Sequence, residues 1–150
     1  MVLGAKSIEY SFFAYGKPAP QGSKRHVGNG ILIESSKYVK QWRKTVKTAA
    51  RKARPKGWNP FLPIDLYALF LFDRPKSHYR TNGQLKPKAP VHCTTRIGDL
   101  DKLLRAIADA LTDISYKDDS QIVNIQSTRR YVRPTEQQGA LISLRANQIP

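Results

Sequence analysis

The longest uninterrupted apolar run in the chain is "LYALFLF", residues 66–72, inside the stretch "PIDLYALFLFD". It is far shorter than the roughly 20 apolar residues that a helix needs to cross a bilayer. Apolar residues that follow one another without alternation are typical of a strand that is buried on both faces. The run therefore predicts a central strand, and the rest of the chain must supply cover for its two faces.

Hydrophobic periodicity predicts the elements around this strand. Strands are expected at "SIEYSFFAY" (7–15), "ILIE" (31–34), residues 120–132 and "ALISLRA" (140–146), and a helix at 36–53 that Ser35 or Ser36 could cap. A chain of 150 residues, 40% of them hydrophobic, can build one core of ordinary size but not two. We therefore expect residues 1–150 to form a single domain.

The charge of the chain is strongly unbalanced. Lys and Arg number 26 against 11 Asp and Glu, which gives a formal net charge of +15. Such a surface attracts polyanions and releases their counterions, so nucleic acid is the expected partner. The N-terminus "MVLGAKSIEY" lacks the apolar core of a signal peptide, and we expect a cytoplasmic protein with no membrane partner. One cysteine and three histidines show no zinc-binding spacing.

Two basic segments are candidate DNA contacts. One face of the helix predicted at 36–53 carries five cations at helical spacing, and no acid occurs between Glu34 and Asp65; these cations are Lys37, Lys40, Lys44, Lys47 and Arg51. A solvated face is the alternative, although such faces usually mix signs. The second segment, residues 74–96, has six Lys or Arg, among them Lys86 and Lys88, and no acid. A connection of this length is either a functional loop or disordered, and its charge favours a loop that meets DNA.

The carboxylates are concentrated elsewhere. Residues 98–123, "GDLDKLLRAIADALTDISYKDDSQIV", hold six of the eleven. Leucine and isoleucine recur there at helical spacing and predict a helix over about 99–112, with Asp99 and Asp101 in its first turn. Acids at that position often only cap the helix or complement its dipole. If Asp99, Asp101 and Asp119 converge, their repulsion requires a cation or protonation. A divalent ion resolves it, and an all-carboxylate ligand set selects Mg²⁺ or Mn²⁺.

These residues also carry a family resemblance. "GDLDKLLRAIADALTD" followed by "YKDDSQIV" resembles the signature of the RusA family of Holliday-junction resolvases, whose pattern is D-x-D-N-L-x-K, then D-A-L-T, a short turn and D-D-x-Q-V-V. The match covers about a quarter of the chain closely. The stretch "PAPQGSKR" (18–25) is similar to stretches of phage-borne relatives, so the resemblance implies a phage-type member.

The resemblance implies roles for individual residues. Asp99, Asp101 and Asp119 match the metal-binding aspartates of the family. Arg105 stands where the family has a catalytic lysine. A guanidinium group cannot give up a proton as a general acid, so the role expected of Arg105 is phosphate binding or transition-state stabilisation. Lys102 replaces the usual asparagine and is a candidate for the missing lysine. Asp109 also matches a family position, but four residues after Arg105 we expect it to be a structural ion-pair partner.

We therefore interpret the chain as an α+β domain, with a mostly antiparallel or mixed sheet and two main helices. The expected activity is Mg²⁺-dependent cleavage of branched DNA, especially four-way junctions, by a homodimer whose symmetry matches the substrate. A non-catalytic DNA-binding protein of the same fold and a nuclease of broader flap or fork specificity are the alternatives. Tyr79, Trp58 and Phe61 are candidates for wedging at the crossover, although an aromatic residue is more often part of the core.

Overall fold

The computed structural model of the protein describes residues 7–22, 24–26, 32–34, 38–94 and 98–147. Six strands and two α-helices follow one another in the order β1 (Ile8–Tyr15), β2 (Lys24–His26), β3 (Leu32–Glu34), α1 (Val39–Ala53), β4 (Ile64–Phe72), α2 (Leu100–Leu111), β5 (Ile122–Tyr131) and β6 (Gly139–Ala146). Two single-turn 3₁₀ helices, Lys76–His78 and Asp119–Gln121, lie in the connections. The predicted α+β class with two main helices is confirmed.

Four of the strands form one mixed sheet in the order β1-β6-β4-β5. β6 pairs antiparallel with both β1 and β4, whereas β4 and β5 are parallel. A parallel pair needs a long crossover, and here that crossover contains α2. β2 and β3 form a separate antiparallel hairpin. The prediction that β4 is a central strand is confirmed, since it has a partner on each side.

Both helices pack on the same face of the sheet. The inward side chains of β1, β4 and β6 are buried, and they form a single core with the apolar stripes of the helices. α1 contributes Val39, Trp42, Val46 and Ala50, and α2 contributes Leu103, Ala106, Ile107, Ala110 and Leu111. The residues that predicted the helices by their spacing are largely those that hold them on the sheet.

The outer face of the sheet does not match the prediction that β4 is buried on both faces. Leu66, Ala68 and Phe70 point inward and are buried, but the alternate residues Tyr67 and Leu69 are only half-buried. Neither helix covers their side, because both belong to the inner layer. The apolar run of β4 therefore reflects a strand with one covered face and one partly open face.

Hydrogen bonds hold the described part of the segment after β4, residues 74–94. Tyr79 and Leu85 form an antiparallel bridge, and the backbone N–H of Arg80 donates to the carbonyl of Gln84 at 2.7 Å. Arg74 anchors the base, because its guanidinium donates to the carbonyls of Val132 at 2.9 Å and Pro90 at 2.7 Å. Residues 76–88 thus form a small projecting hairpin and are not a structureless connection.

Within the described ranges, no helix has both the length and the apolar character that a membrane span requires.

Candidate active site

Helix α2 presents the acidic stretch to solvent. Its apolar stripe is buried against the sheet, so the residues between those positions face outward. Asp101 and Arg105 are exposed there, and Asp109 follows four residues later on the same side. Local helical spacing alone produces this row of charges, as the sequence predicted.

Asp99 occupies the N-cap position of α2 but does not cap it with its side chain. Its backbone is extended, with φ −72° and ψ 147°, and its carboxylate accepts no hydrogen bond from the first-turn amides. That carboxylate is 74% exposed, and the Nζ atom of Lys102 lies 3.8 Å from its Oδ2 atom. Helix capping, the alternative explanation for an acid here, is therefore not what the Asp99 carboxylate does.

The adjacent acids Asp118 and Asp119 have different roles. Asp118 accepts a hydrogen bond from the backbone N–H of Ser120 at 2.8 Å and forms a reciprocal capping box with Gln121. Hydrogen bonds from the backbone and then the side chain of Ser120 lower the pKa of Asp118 below its usual value. Asp119, by contrast, is exposed and takes no part in the capping box. Of the two, Asp119 is the exposed acid that lies outside the capping box.

Tyr116 joins the turn that precedes Asp119 to α2. The tyrosine is fully buried, and its hydroxyl donates to the carbonyl of Ala108 at 2.6 Å. Burial raises the pKa of Tyr116, and the negative charges of Asp119 and Asp109 raise it further. Along the chain, Asp119 comes eight residues after Leu111, the last residue of α2, whereas Asp99 and Asp101 are at the N-terminal end of that helix.

The structure does not assemble these carboxylates into one cluster. Among the residues described, no group of three or more His, Cys, Asp or Glu side chains is close enough together to hold a metal ion. What it does bring together is Asp99 with Lys102. Metal binding by Asp99, Asp101 and Asp119 stays a prediction, which rests on uncommitted carboxylate donors and not on a preformed cage.

The loop between β1 and β2 packs directly on this helix, which the sequence did not predict. The backbone N–H of Gln21 donates to the carbonyl of Lys102 at 3.0 Å, and its side-chain amide donates to the carboxylate of Asp109. Arg43 of α1 donates to the Gln21 side-chain oxygen at 2.5 Å. Gln21 and Arg43 are therefore additional residues of the site, and only the stretch "PAPQGSKR" had drawn attention to this loop.

The expected ion pair between Arg105 and Asp109 is not formed. In the described part of the chain, the ion pairs are Lys102–Asp99, Arg130–Glu136 and Arg145–Glu9. The side-chain amide of Gln21 donates a hydrogen bond to the Asp109 carboxylate instead. An exposed pair four residues apart on a helix is worth only about 0.3–0.5 kcal/mol, so one tertiary hydrogen bond is enough to displace it.

The outward face of α1 is basic, as predicted. Lys40, Lys44 and Arg51 are exposed and Lys47 is half-buried. The first turn of α1 has no acid, and none of these four cations belongs to an ion pair with any residue that the structure describes. Lys37, the fifth predicted contact, lies outside the described residues. A one-signed face without internal partners is suited to phosphate.

The other predicted contacts lie on the projecting hairpin or near it. Lys86 and Lys88 are exposed.

Among the aromatic wedge candidates, Trp58 is excluded because it is only 4% exposed and its Nε1 atom donates to the Ser115 carbonyl at 2.8 Å. Phe61 is 70% exposed, and the ammonium of Lys117 lies 5.7 Å from its ring centroid. Tyr79 is half-buried within the hairpin.

Comparison of the sequence with known proteins identifies the family of the chain. The chain is 30% identical over 127 residues to YqaN of Bacillus subtilis (strain 168), itself uncharacterized, and the match covers 80% of this chain and 86% of that protein. Residues 16–138 match the family described as Endodeoxyribonuclease RusA. This range includes the loop of Gln21, both helices and all the predicted site residues. The chain therefore belongs to the RusA family of endodeoxyribonucleases.

Proposed function

We propose that the protein is a Mg²⁺-dependent endonuclease that resolves four-way DNA junctions by paired, symmetric nicks. The observation that carries the proposal is the state of Asp99: its carboxylate stands at the start of α2, exposed and not used as a helix cap. An exposed acid that does not cap its helix, and whose one ion pair among the described residues is the 3.8 Å contact with Lys102, is best explained by chemistry in a protein of formal net charge +15. Membership of a family of endodeoxyribonucleases supports the same conclusion.

The available donors fit a hard divalent cation. Asp99, Asp101 and Asp119 are all exposed and offer only carboxylate oxygen, which Mg²⁺ and Mn²⁺ prefer over softer metals. These three residues would hold the ion. Such an ion would supply a water of lowered pKa and charge stabilisation for the leaving oxygen.

The cations of α2 have separate tasks. Arg105 can bind a phosphate oxygen with two parallel hydrogen bonds and stabilise charge in the transition state, but it cannot give up a proton. Lys102, whose ammonium is 3.8 Å from Asp99, is the group at this end of the helix that can donate one. We assign phosphate binding to Arg105 and proton donation to the leaving oxygen to Lys102.

Basic surfaces outside α2 would hold the DNA arms. Lys40, Lys44, Lys47 and Arg51 form a row along α1, and Lys86 and Lys88 extend the positive surface to the hairpin. Contacts of this kind bind the backbone without reading its sequence. Because a four-way junction is two-fold symmetric, we propose that two copies act together as a homodimer, one for each strand that is cut.

Cleavage of synthetic substrates tests the proposal. The full chain should nick a labelled four-way junction at symmetric positions in Mg²⁺ or Mn²⁺, leave linear duplex intact and do nothing in EDTA, and it should sediment as a dimer when bound. Equal cutting of flaps and forks would instead assign it a broader branched-DNA specificity. Tight junction binding with no cutting in either metal would make it a non-catalytic binding protein, the alternative that Arg105 in place of the family lysine favours.

A further inference from the structure

Gln21 makes three contacts that hold it against α2. Its backbone N–H donates to the Lys102 carbonyl, its side-chain oxygen accepts from Arg43, and its side-chain nitrogen donates to Asp109. Arg43 can only donate, so the oxygen of the amide must face it. The NH₂ group must then face the Asp109 carboxylate. The amide orientation is thus fixed by chemistry and not by an arbitrary choice between two similar atoms.

The same loop lies against the guanidinium of Arg105. Gly22, the residue after Gln21, has φ +93°, and a Cβ atom added there would lie 2.6 Å from the Nη1 atom of Arg105. One residue before Gln21, Pro20 packs on Gly98, where an added Cβ would lie 2.6 Å from the proline Cγ. Two close approaches therefore fix the loop on either side of Gln21, and one of them is to Arg105.

Asp109 is the natural competitor for Arg105. The two residues are four apart on one helix, which places their side chains within reach of each other. In an ion pair with Asp109, Arg105 would have less capacity to bind a DNA phosphate. In the described structure Gln21 donates to one oxygen of that carboxylate, and no ion pair joins Asp109 to Arg105.

We propose that Gln21 is a positioning residue that occupies Asp109 and thereby keeps the Arg105 guanidinium available for a DNA phosphate. Arg43 supports this role by orienting the amide. The role rests on the proposed function only for its effect on cutting; its effect on DNA binding is independent of whether the protein cuts at all. Losing the amide should let Asp109 capture Arg105.

The test is a suppressor experiment. Gln21→Met keeps the length of the side chain and removes its donor. It should slow single-turnover nicking of a saturating four-way junction by roughly 10-fold, a part of the loss expected from removing an oriented charge. The double variant Gln21→Met with Asp109→Asn removes the competitor and should recover to within about 3-fold of the parent. Gln21→Met added to Arg105→Ala should cause no further loss.

A second readout needs no cleavage. In metal-free buffer, the slope of log affinity against log salt should fall by about one unit in Gln21→Met, because one phosphate contact is lost, and should return in the double variant. Gln137→Met, an exposed glutamine on the turn between β5 and β6, is the matched control and should change neither readout. Gln21→Ala serves in the same design if the methionine variant does not fold.

A salt slope that is unchanged in Gln21→Met, or a double variant that stays as slow as the single one, would overturn the proposal. If the parent binds junctions but never nicks them, the proposed function fails, yet the salt slopes still decide the role of Gln21.

Discussion

The two helices pack alike and differ on their outward faces. Each lays an apolar stripe on the same side of the sheet, and they share one core. The charged residues on the outward face of α1 are all cations, whereas α2 alternates Asp101, Arg105 and Asp109 along one side. The inner stripe determines where a helix lies, and the outer face is then free to specialise. We infer that α1 holds phosphate and that α2 acts on it.

The largest expected effect comes from removing a carboxylate on α2 or next to it. Asp99→Asn, Asp101→Asn and Asp119→Asn should each abolish nicking in Mg²⁺ and Mn²⁺, because each removes one of the proposed metal ligands. Junction affinity in metal-free buffer should equal or exceed that of the parent, since one repulsion against phosphate is gone. Nicking assays and binding titrations on the same junction measure both quantities.

Asp113→Asn is the control from the same acidic stretch. Asp113 is exposed and has φ 68°, a conformation that asparagine tolerates well. That variant should cut normally. Cutting at the parental rate by Asp99→Asn would remove the metal-site hypothesis, because asparagine can replace aspartate as a cap but not as a charged ligand.

A smaller loss is expected when the cation between these acids is changed. Arg105→Ala should slow nicking by about 10²-fold if the guanidinium stabilises transition-state charge. Arg105→Lys keeps the charge and restores the family residue, so it should cut as well as the parent or better. Single-turnover rates at saturating junction separate this effect from binding. A parental rate for the alanine variant would transfer the role to Lys102.

Changes on α1 should affect binding and leave chemistry intact. Replacing Lys40 and Lys44 by Ala should weaken binding to all DNA forms alike and lower the salt slope by roughly two units, one for each phosphate contact. The rate at saturating DNA should stay parental. Lys56→Ala, an exposed lysine just beyond α1, provides the comparison. An unchanged slope in the double variant would identify the face as merely solvated.

The smallest functional effect is expected far from both helices. Arg130 binds both carboxylate oxygens of Glu136 at 2.7 Å, and this pairing lowers the pKa of Glu136 to about 2 from its ordinary 4.5. A depressed folded-state pKa stabilises the fold above pH 4.5, and that contribution is lost as the pH falls from 4.5 toward 2. Glu136→Gln should flatten the loss of stability in this window and cost at most about 2 kcal/mol at neutral pH, given the partial exposure of the pair.

Denaturant unfolding at pH 7 and pH 3 measures that contribution. Nicking by Glu136→Gln at pH 7 should match the parent. A loss of nicking without a loss of stability would show that the β5–β6 turn takes part in the reaction.

Local patterns predicted much of this molecule, and long-range contacts account for what they missed. The spacing of Leu103, Ile107 and Leu111 was enough to place α2 and its outward charges. The i, i+4 spacing of Arg105 and Asp109 predicted the wrong partner, because Gln21 reaches Asp109 from 88 residues away in the sequence. No periodicity encodes such a contact. A strongly apolar strand likewise does not reveal which of its faces is covered.

The choice between Asp118 and Asp119 is a short-range case, which local rules can decide. The resemblance assigned the metal-binding role to Asp119, but neighbouring carboxylates cannot be told apart by composition. The capping box explains why the two differ, since it commits Asp118 to the backbone of Ser120. The sequence motif "DDSQ" contains both partners of that box, so local capping rules could have identified it.

The pairing of β1 with β6 has a consequence for how the chain acquires its fold. These strands join residues as distant as Glu9 and Arg145, which are 136 positions apart. During synthesis β1 leaves the ribosome first, whereas the strand that satisfies its backbone amides is made after every other element of the sheet. β6 also separates β1 from β4, so no earlier strand can substitute for it without changing the strand order. Closing so long a loop is entropically costly and slows folding. The nascent chain therefore carries an unpaired, partly apolar strand throughout elongation, and protection of that strand by a chaperone would raise the yield of active enzyme.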